Sequence, residues 1–153
     1  MNKLKIFLAD LTHTYKALTN PFIPYGIGVI SSYAQKIFGD KIEVRLFKYP
    51  EKLYEALNQE HCDVLGCSTY VWNSSLAHWA CRVAKRKNPN VITVLGGPDF
   101  AKDYDQKLEY FLKYNCVDVR VLLEGEIAFS NLIKLILDHG IANKNKIFKD
   151  KIE

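Results

Sequence analysis

Residues Val64–Pro98 read VLGCSTYVWNSSLAHWACRVAKRKNPNVITVLGGP. Val64 to Thr69 is a short, mostly apolar run of strand length. Asn73 is a good N-cap, and after it Ala77, Ala80, Cys81 and Ala84 recur at helical spacing, so the segment predicts a helix with one apolar stripe. That helix must end before Asn88-Pro89, because the residue ahead of a proline is pushed out of the helical region. Val91 to Leu95 is a second apolar run, closed by Gly96-Gly97-Pro98. Two strands joined by one amphipathic helix form a right-handed crossover unit, which places the strands parallel in one sheet.

The same alternation extends both ways. Upstream, Lys5 to Asp10 is a strand whose Ile6-Phe7-Leu8-Ala9 is apolar on both faces, as burial between two helix layers requires. A long loop, Leu11 to Pro24, leads to a helix over Tyr25–Phe38, stopped by Gly39-Asp40, and then to a strand over Ile42–Tyr49. Its alternation of Val44 and Leu46 with Glu43 and Arg45 marks an edge strand. Pro50 suits the first position of a helix running Glu51–Glu60. Downstream come a helix over Tyr104–Asn115, a strand over Val117–Leu123 and a helix over Glu126–Asp138 that ends at Gly140. Five such β-α units predict an α/β, flavodoxin-like five-stranded parallel sheet, order 2-1-3-4-5, with helices on both faces. The domain is expected over residues 1–140, and residues 141–153 read as a Lys/Asn-rich tail or linker outside the core.

Composition agrees with one folded domain. The chain has 153 residues, 48% hydrophobic and 25% charged, enough for a single core without metal or disulfide staples. The net charge is +4, of which the last ten residues supply half, so no clustered basic face argues for nucleic acid or a membrane surface. No apolar run is long enough to span a bilayer. The four cysteines, Cys62, Cys67, Cys81 and Cys116, show no C-x-x-C pairing and read as reduced, buried thiols of a cytoplasmic protein.

In a sheet of this order, ligands bind beyond the carboxyl ends of the strands. Those ends carry Asp10-Leu11-Thr12-His13, Ser68-Thr69-Tyr70, Gly96-Gly97-Pro98 and Glu124-Gly125-Glu126. Adjacent glycines there let a ligand approach the backbone or simply form a tight turn, and Ser68 and Thr69 offer hydroxyls. Familiar motifs fail. Gly26-Ile27-Gly28 lies too far past the first strand for a dinucleotide fingerprint and lacks the third glycine. No phospho-receiver acid stands at Ser68. No G-x-S-x-G elbow surrounds Ser68 to support a triad with His13 and Asp10. No residue is therefore assigned a catalytic or metal-ligating role, and His61, His78 and His139 are expected on helix surfaces or ends. A flavin or nucleotide phosphate held by Thr12, Thr14 and Ser68 stays open as an alternative.

Taken in order, the strand-end segments resemble the N-terminal cobalamin (vitamin B12)-binding domain of radical S-adenosylmethionine enzymes. The resemblance spans Leu4 to Leu137 and rests on Pro24-Tyr25-Gly26-Ile27-Gly28, on Gly66-Cys67-Ser68-Thr69-Tyr70 with Trp72-Asn73, on Leu95-Gly96-Gly97-Pro98, and on Glu124-Gly125-Glu126 with Ala128-Phe129. The last is similar to the family's G-E-G-E-x-x-F with Leu123 in place of the first glycine. The resemblance implies cobalamin as cofactor, its nucleotide tail inserted beside the sheet and its corrin across the strand ends. The implied contacts are Asp10, Thr12, His13, Pro24, Gly26, Ser68, Thr69, Tyr70, Gly96, Gly97, Pro98, Glu124, Gly125 and Glu126. The D-x-H-x-x-G motif of related domains, whose histidine ligates cobalt, is absent: Thr12 and Tyr15 stand at its histidine and glycine positions, and His13 sits one place later. The S-x-L motif is altered to Ser68-Thr69-Tyr70. The family's C-x-x-x-C-x-x-C occurs nowhere in these residues, so an iron-sulfur cluster and S-adenosylmethionine belong to a radical S-adenosylmethionine domain partnering this one in cis or in trans. The implied role is that of a module serving methyl transfer. A degenerate domain kept as a docking or substrate-recognition surface is the other reading.

Overall fold

The computed structural model describes residues 3–15, 22–98 and 104–148. β1 (Leu4–Ala9) is apolar on both sides because it lies between two helix layers: Phe7 and Ala9 enter one core, Ile6 and Leu8 the other. The chain continues through α1 (Tyr25–Phe38), a 3-10 turn (Gly39–Lys41), β2 (Ile42–Phe47), α2 (Pro50–Gln59), β3 (Val64–Ser68), α3 (Ser74–Lys87) and β4 (Ile92–Gly96). The described residues continue with α4 (Tyr104–Lys113), β5 (Val119–Val121), α5 (Gly125–His139) and α6 (Lys144–Ile147). All strand pairs are parallel in the order β2-β1-β3-β4-β5, the doubly wound arrangement expected from the sequence. The order reverses between β1 and β3, where crossovers leave in opposite directions and a crevice opens at the strand ends.

The two cores are distinct. Leu53, Ala77, Ala80, Cys81 and Cys116 pack with Phe7, Leu65 and Leu95 under α2, α3 and α4. Ile27, Ala34, Phe129, Leu132, Ile133 and Ile136 pack with Ile6, Leu8, Val64 and Val94 under α1 and α5. All four cysteines are buried and free.

Three expectations need correction. β5 is only three residues long; just before it the Asp118 carboxylate accepts hydrogen bonds from the Thr93 amide at 2.8 Å and from the Lys85 ammonium, taking up a β4 amide beside the strand. Residues after Gly140 do not all lie outside the core. Ile147 is completely buried, Ile141 packs on the same cluster, and Lys144 donates to the carbonyls of Pro89 and Val91. The apolar positions 141 and 147 were too widely spaced among lysines and asparagines to read as core. Finally, His78 is buried rather than on a helix surface. Its Nδ1 lies 2.7 Å from the Ser74 carbonyl and its Nε2 2.7 Å from the Tyr110 hydroxyl, while its ring packs 4.0 Å from that of Tyr114. A ring nitrogen facing a carbonyl must be the donor, so Nδ1 carries the proton.

Candidate functional site

Parallel register sets which side chains share a face. Leu8, Gly66, Val94 and Val119 form one row across the sheet, and Ser68, Gly96 and Val121 form the next row toward the strand ends. Both rows face α1 and α5. Because two neighbours in the outer row are a serine and a glycine, the helices cannot close on the sheet there. A cavity of about 280 Å³ results, walled by Ile27 and Ile30 of α1 and by Gly125 and Phe129 of α5.

The glycines at this edge have different reasons to be glycine. Gly97 has φ +122°, and a Cβ on it would lie 2.3 Å from the Thr69 carbonyl oxygen, so its backbone fold and not a ligand excludes a side chain. A Cβ on Gly66 would meet Leu8 Cδ2 at 2.7 Å, so that space is already filled. A Cβ on Gly96 would meet only Val121, at ordinary contact distances of 3.8 Å and beyond. Gly96 is thus the place where the sheet itself lies open to the cavity. Gly125 lets α5 approach α1, since a Cβ there would stand 3.0 Å from Ile30 Cδ1.

Of the residues singled out in the sequence, Gly26, Ser68, Tyr70, Gly96, Gly97, Gly125 and Glu126 line this cavity together. The Ser68 hydroxyl has no hydrogen-bond partner among the described residues, whereas the Thr69 hydroxyl turns away to donate to the Gly96 carbonyl at 2.9 Å. Thr69 holds the wall rather than facing the space. Pro24 precedes α1 and lines a separate shallow groove with Tyr33 and Leu46. Pro98 and Glu124 are exposed at the rim. Asp99, which follows Pro98, lies outside the described residues.

The segment Asp10-Leu11-Thr12-His13 belongs to the other side of the crevice. Leu11 enters the core under α2 and α3. Asn73, fully buried, ties this segment to the β3 end: its Oδ1 accepts the Tyr70 amide at 2.8 Å, and its Nδ2 donates to the Leu11 carbonyl at 3.1 Å and to Asp10 Oδ1 at 3.3 Å. Asn73 stands at the start of α3 as expected, but its side chain makes no helix-capping bond and fastens two loops instead. His13 Nε2 donates to the Trp72 carbonyl at 3.0 Å, so that nitrogen is already engaged. Burial raises the Asp10 carboxyl above its ordinary value, with the Lys48 ammonium pulling the other way, and the Tyr70 phenol is raised by burial and by Asp10. Over this edge the Tyr70 and Trp72 rings stack at 4.6 Å, nearly parallel.

The apolar wall, Leu8, Ile27, Ile30, Val94, Val121 and Phe129, was not among the residues singled out, although strand alternation and the register of Gly66 with Leu8 carried the signal. No lysine or arginine is among the described residues that line the cavity, and its only charged side chain is Glu126. Thr12 and Thr14 do not line this cavity with Ser68, and the Thr14 hydroxyl donates to the Glu51 carboxylate at 2.6 Å. Leu123, where the family motif has glycine, adopts φ 58°, the left-handed conformation that favours glycine, and its side chain reaches the cavity mouth. Among the described residues no three His, Cys, Asp or Glu side chains converge as a metal site, and no helix is long and apolar enough to cross a membrane.

Residues 17–133 match the B12 binding domain family. Two curated relatives are similar over most of the chain. One is a cobalamin-dependent radical SAM methyltransferase, TokK, of Streptomyces tokunonensis, 33% identical over 127 residues that cover 78% of this chain and 18% of the relative. The other is a 2-(S-pantetheinyl)-carbapenam-3-carboxylate methyltransferase of Streptantibioticus cattleyicolor, 32% identical over 124 residues with the same two coverages. The chain thus spans about one fifth of the length of the relatives it matches.

Proposed function

Since this chain belongs to the B12-binding domain family, we propose that it is the cobalamin-holding module of a radical S-adenosylmethionine enzyme, serving methyl transfer. Both similar relatives are methyltransferases, one of them cobalamin-dependent and radical in type. The observation that carries the proposal is the cavity at the ends of β3 and β4. It is apolar in depth, open to the sheet at Gly96, and has at its edge the Ser68 hydroxyl, which no described residue engages.

The residues fit the group. The cavity is too small and too apolar for a corrin ring with its amide arms, but it suits the base at the end of the cofactor's nucleotide arm. Ser68 stands where the arm's sugar or phosphate would pass, and the rims carrying Tyr70, Trp72 and Leu123 would border the macrocycle. Glu126 keeps the anionic part of the arm on the Ser68 side of the mouth. When bound, cobalamin supplies a cobalt centre that carries a methyl group. This chain's own part is to bind and orient. His13 and Asp10 hold the loop under the crevice through Trp72 and Asn73 and take no part as a cobalt ligand through Nε2. The four buried thiols fit a reducing compartment, and we place the module in the cytoplasm with its radical S-adenosylmethionine partner domain.

The test is retention of colour. Mixed with hydroxocobalamin and passed through gel filtration, the chain should carry one corrinoid per protein with shifted absorption bands, while flavin mononucleotide should separate from it. A colourless protein peak would refute the proposal. A C-x-x-x-C-x-x-C segment in the same enzyme, or in a protein that binds the loaded chain, would support the methyl-transfer role.

A further inference from the structure

Polarity is distributed unevenly within the slot, and corrinoids differ from one another chiefly in the base that ends the nucleotide arm. The polar side chains of the lining, Tyr25, Ser68, Tyr70 and Glu126, all belong to the strand-end edge, at the last residue of β3, the loop after it, or the first turns of α1 and α5. One row deeper the wall consists of Leu8, Ile27, Ile30, Val94 and Phe129, and Gly66 offers no opening because Leu8 covers it. Whatever reaches that depth leaves water and faces the apolar side chains of this wall, with no hydroxyl, amide or charged side chain among the described residues that line it.

We infer that this slot selects corrinoids by the polarity of the terminal base, taking flat apolar bases such as a benzimidazole or a phenol and disfavouring purines. The inference rests on the proposed function. A purine brings ring nitrogens and an exocyclic amine that would be buried without partners, and an unmet buried polar group is penalised strongly. An apolar pocket of this kind discriminates against an added polar group by about ten- to a hundredfold. The apolar wall makes the selection, and Gly96 is the residue that admits the arm to the slot. A valine there meets only Val121 at its Cβ, needs no left-handed backbone, and projects its methyl groups into the space the base would occupy.

The experiment compares dissociation constants of the 153-residue chain for four corrinoids by absorbance titration. They carry dimethylbenzimidazole, p-cresol, adenine, or no nucleotide arm at all (cobinamide). The phenolic base has no nitrogen to bind cobalt, so it removes the effort of detaching a base as an explanation. Both apolar bases should bind at least tenfold more tightly than the adenine form, and cobinamide should bind weakest. The Gly96→Val chain, checked for folding by circular dichroism, should bind the three armed corrinoids no better than cobinamide, with cobinamide itself unchanged. Adenine-form binding equal to or tighter than the apolar forms would overturn the inference while leaving the cobalamin module intact. Cobinamide binding as tightly as cobalamin would show that the slot does not take the arm. Failure to bind any of the four would overturn the proposed function and this inference with it.

Discussion

Leu123 shows how far a single residue can be read. The glycine missing from the motif marks a position where the backbone turns left-handed, and Leu123 adopts φ 58° there while remaining 90% exposed. An L residue in that region is strained by about 1–2 kcal/mol, partly offset by the greater unfolded freedom of glycine. Leu123→Gly should therefore stabilise the chain by about 0.5–1 kcal/mol, seen as a melting temperature higher by about 1–4 °C; a lower one would contradict the strain. Asp10 gives a pH prediction of the opposite sign to most carboxylates. Its folded-state value lies above the ordinary 3.8, so the fold holds the proton more tightly than the unfolded chain does, and its contribution to stability falls as pH rises from 3.8 through that raised value. Asp10→Asn keeps an acceptor for Asn73 and should flatten this part of the stability profile, as followed by urea unfolding from pH 3 to 7. The sequence marked Gly96 and Gly97 as one feature. Only the approach of the Thr69 carbonyl to Gly97, a contact between distant residues, separates them.

At the scale of elements, Asn73 ties the carboxyl ends of β1 and β3 together, and α6 closes over the opposite edge, at the entry to β4. Asn73→Ala would orphan the Tyr70 amide and the Leu11 carbonyl, and should destabilise by about 2–4 kcal/mol in chemical denaturation. Loss below 1 kcal/mol would mean that water replaces the side chain freely. Ile147→Ala should cost about 2 kcal/mol or more, since a fully buried side chain is emptied; no loss would return α6 to the status of a tail. The long periodic helices α1 and α3 were readable to within a residue because their apolar stripes are local patterns. β5 and α6 were not, because they sit among contacts between distant residues, Asp118 with Thr93 and Lys144 with the β4 entry, that no local window contains.

For the whole molecule, the parallel sheet followed from alternation and handedness, and the order 2-1-3-4-5 from the likeness of five β-α units to a flavodoxin-like fold. The location of the site followed from that order. What remained hidden was the division of the strand-end edge into two sides: Asp10, Thr12 and His13 brace the loops toward α2 and α3, while Gly26, Ser68, Gly96 and Gly125 bound the open slot under α1 and α5. The most direct test of that division is amide hydrogen exchange of the chain with and without bound hydroxocobalamin. Binding should slow exchange in the first turns of α1 and α5 and in the turns after β3 and β4, leaving α2 and α4 unchanged. Protection concentrated on α2, α3 and α4, or absent from the first turns of α1 and α5 while the corrinoid is retained, would contradict the placement of the cofactor in this slot.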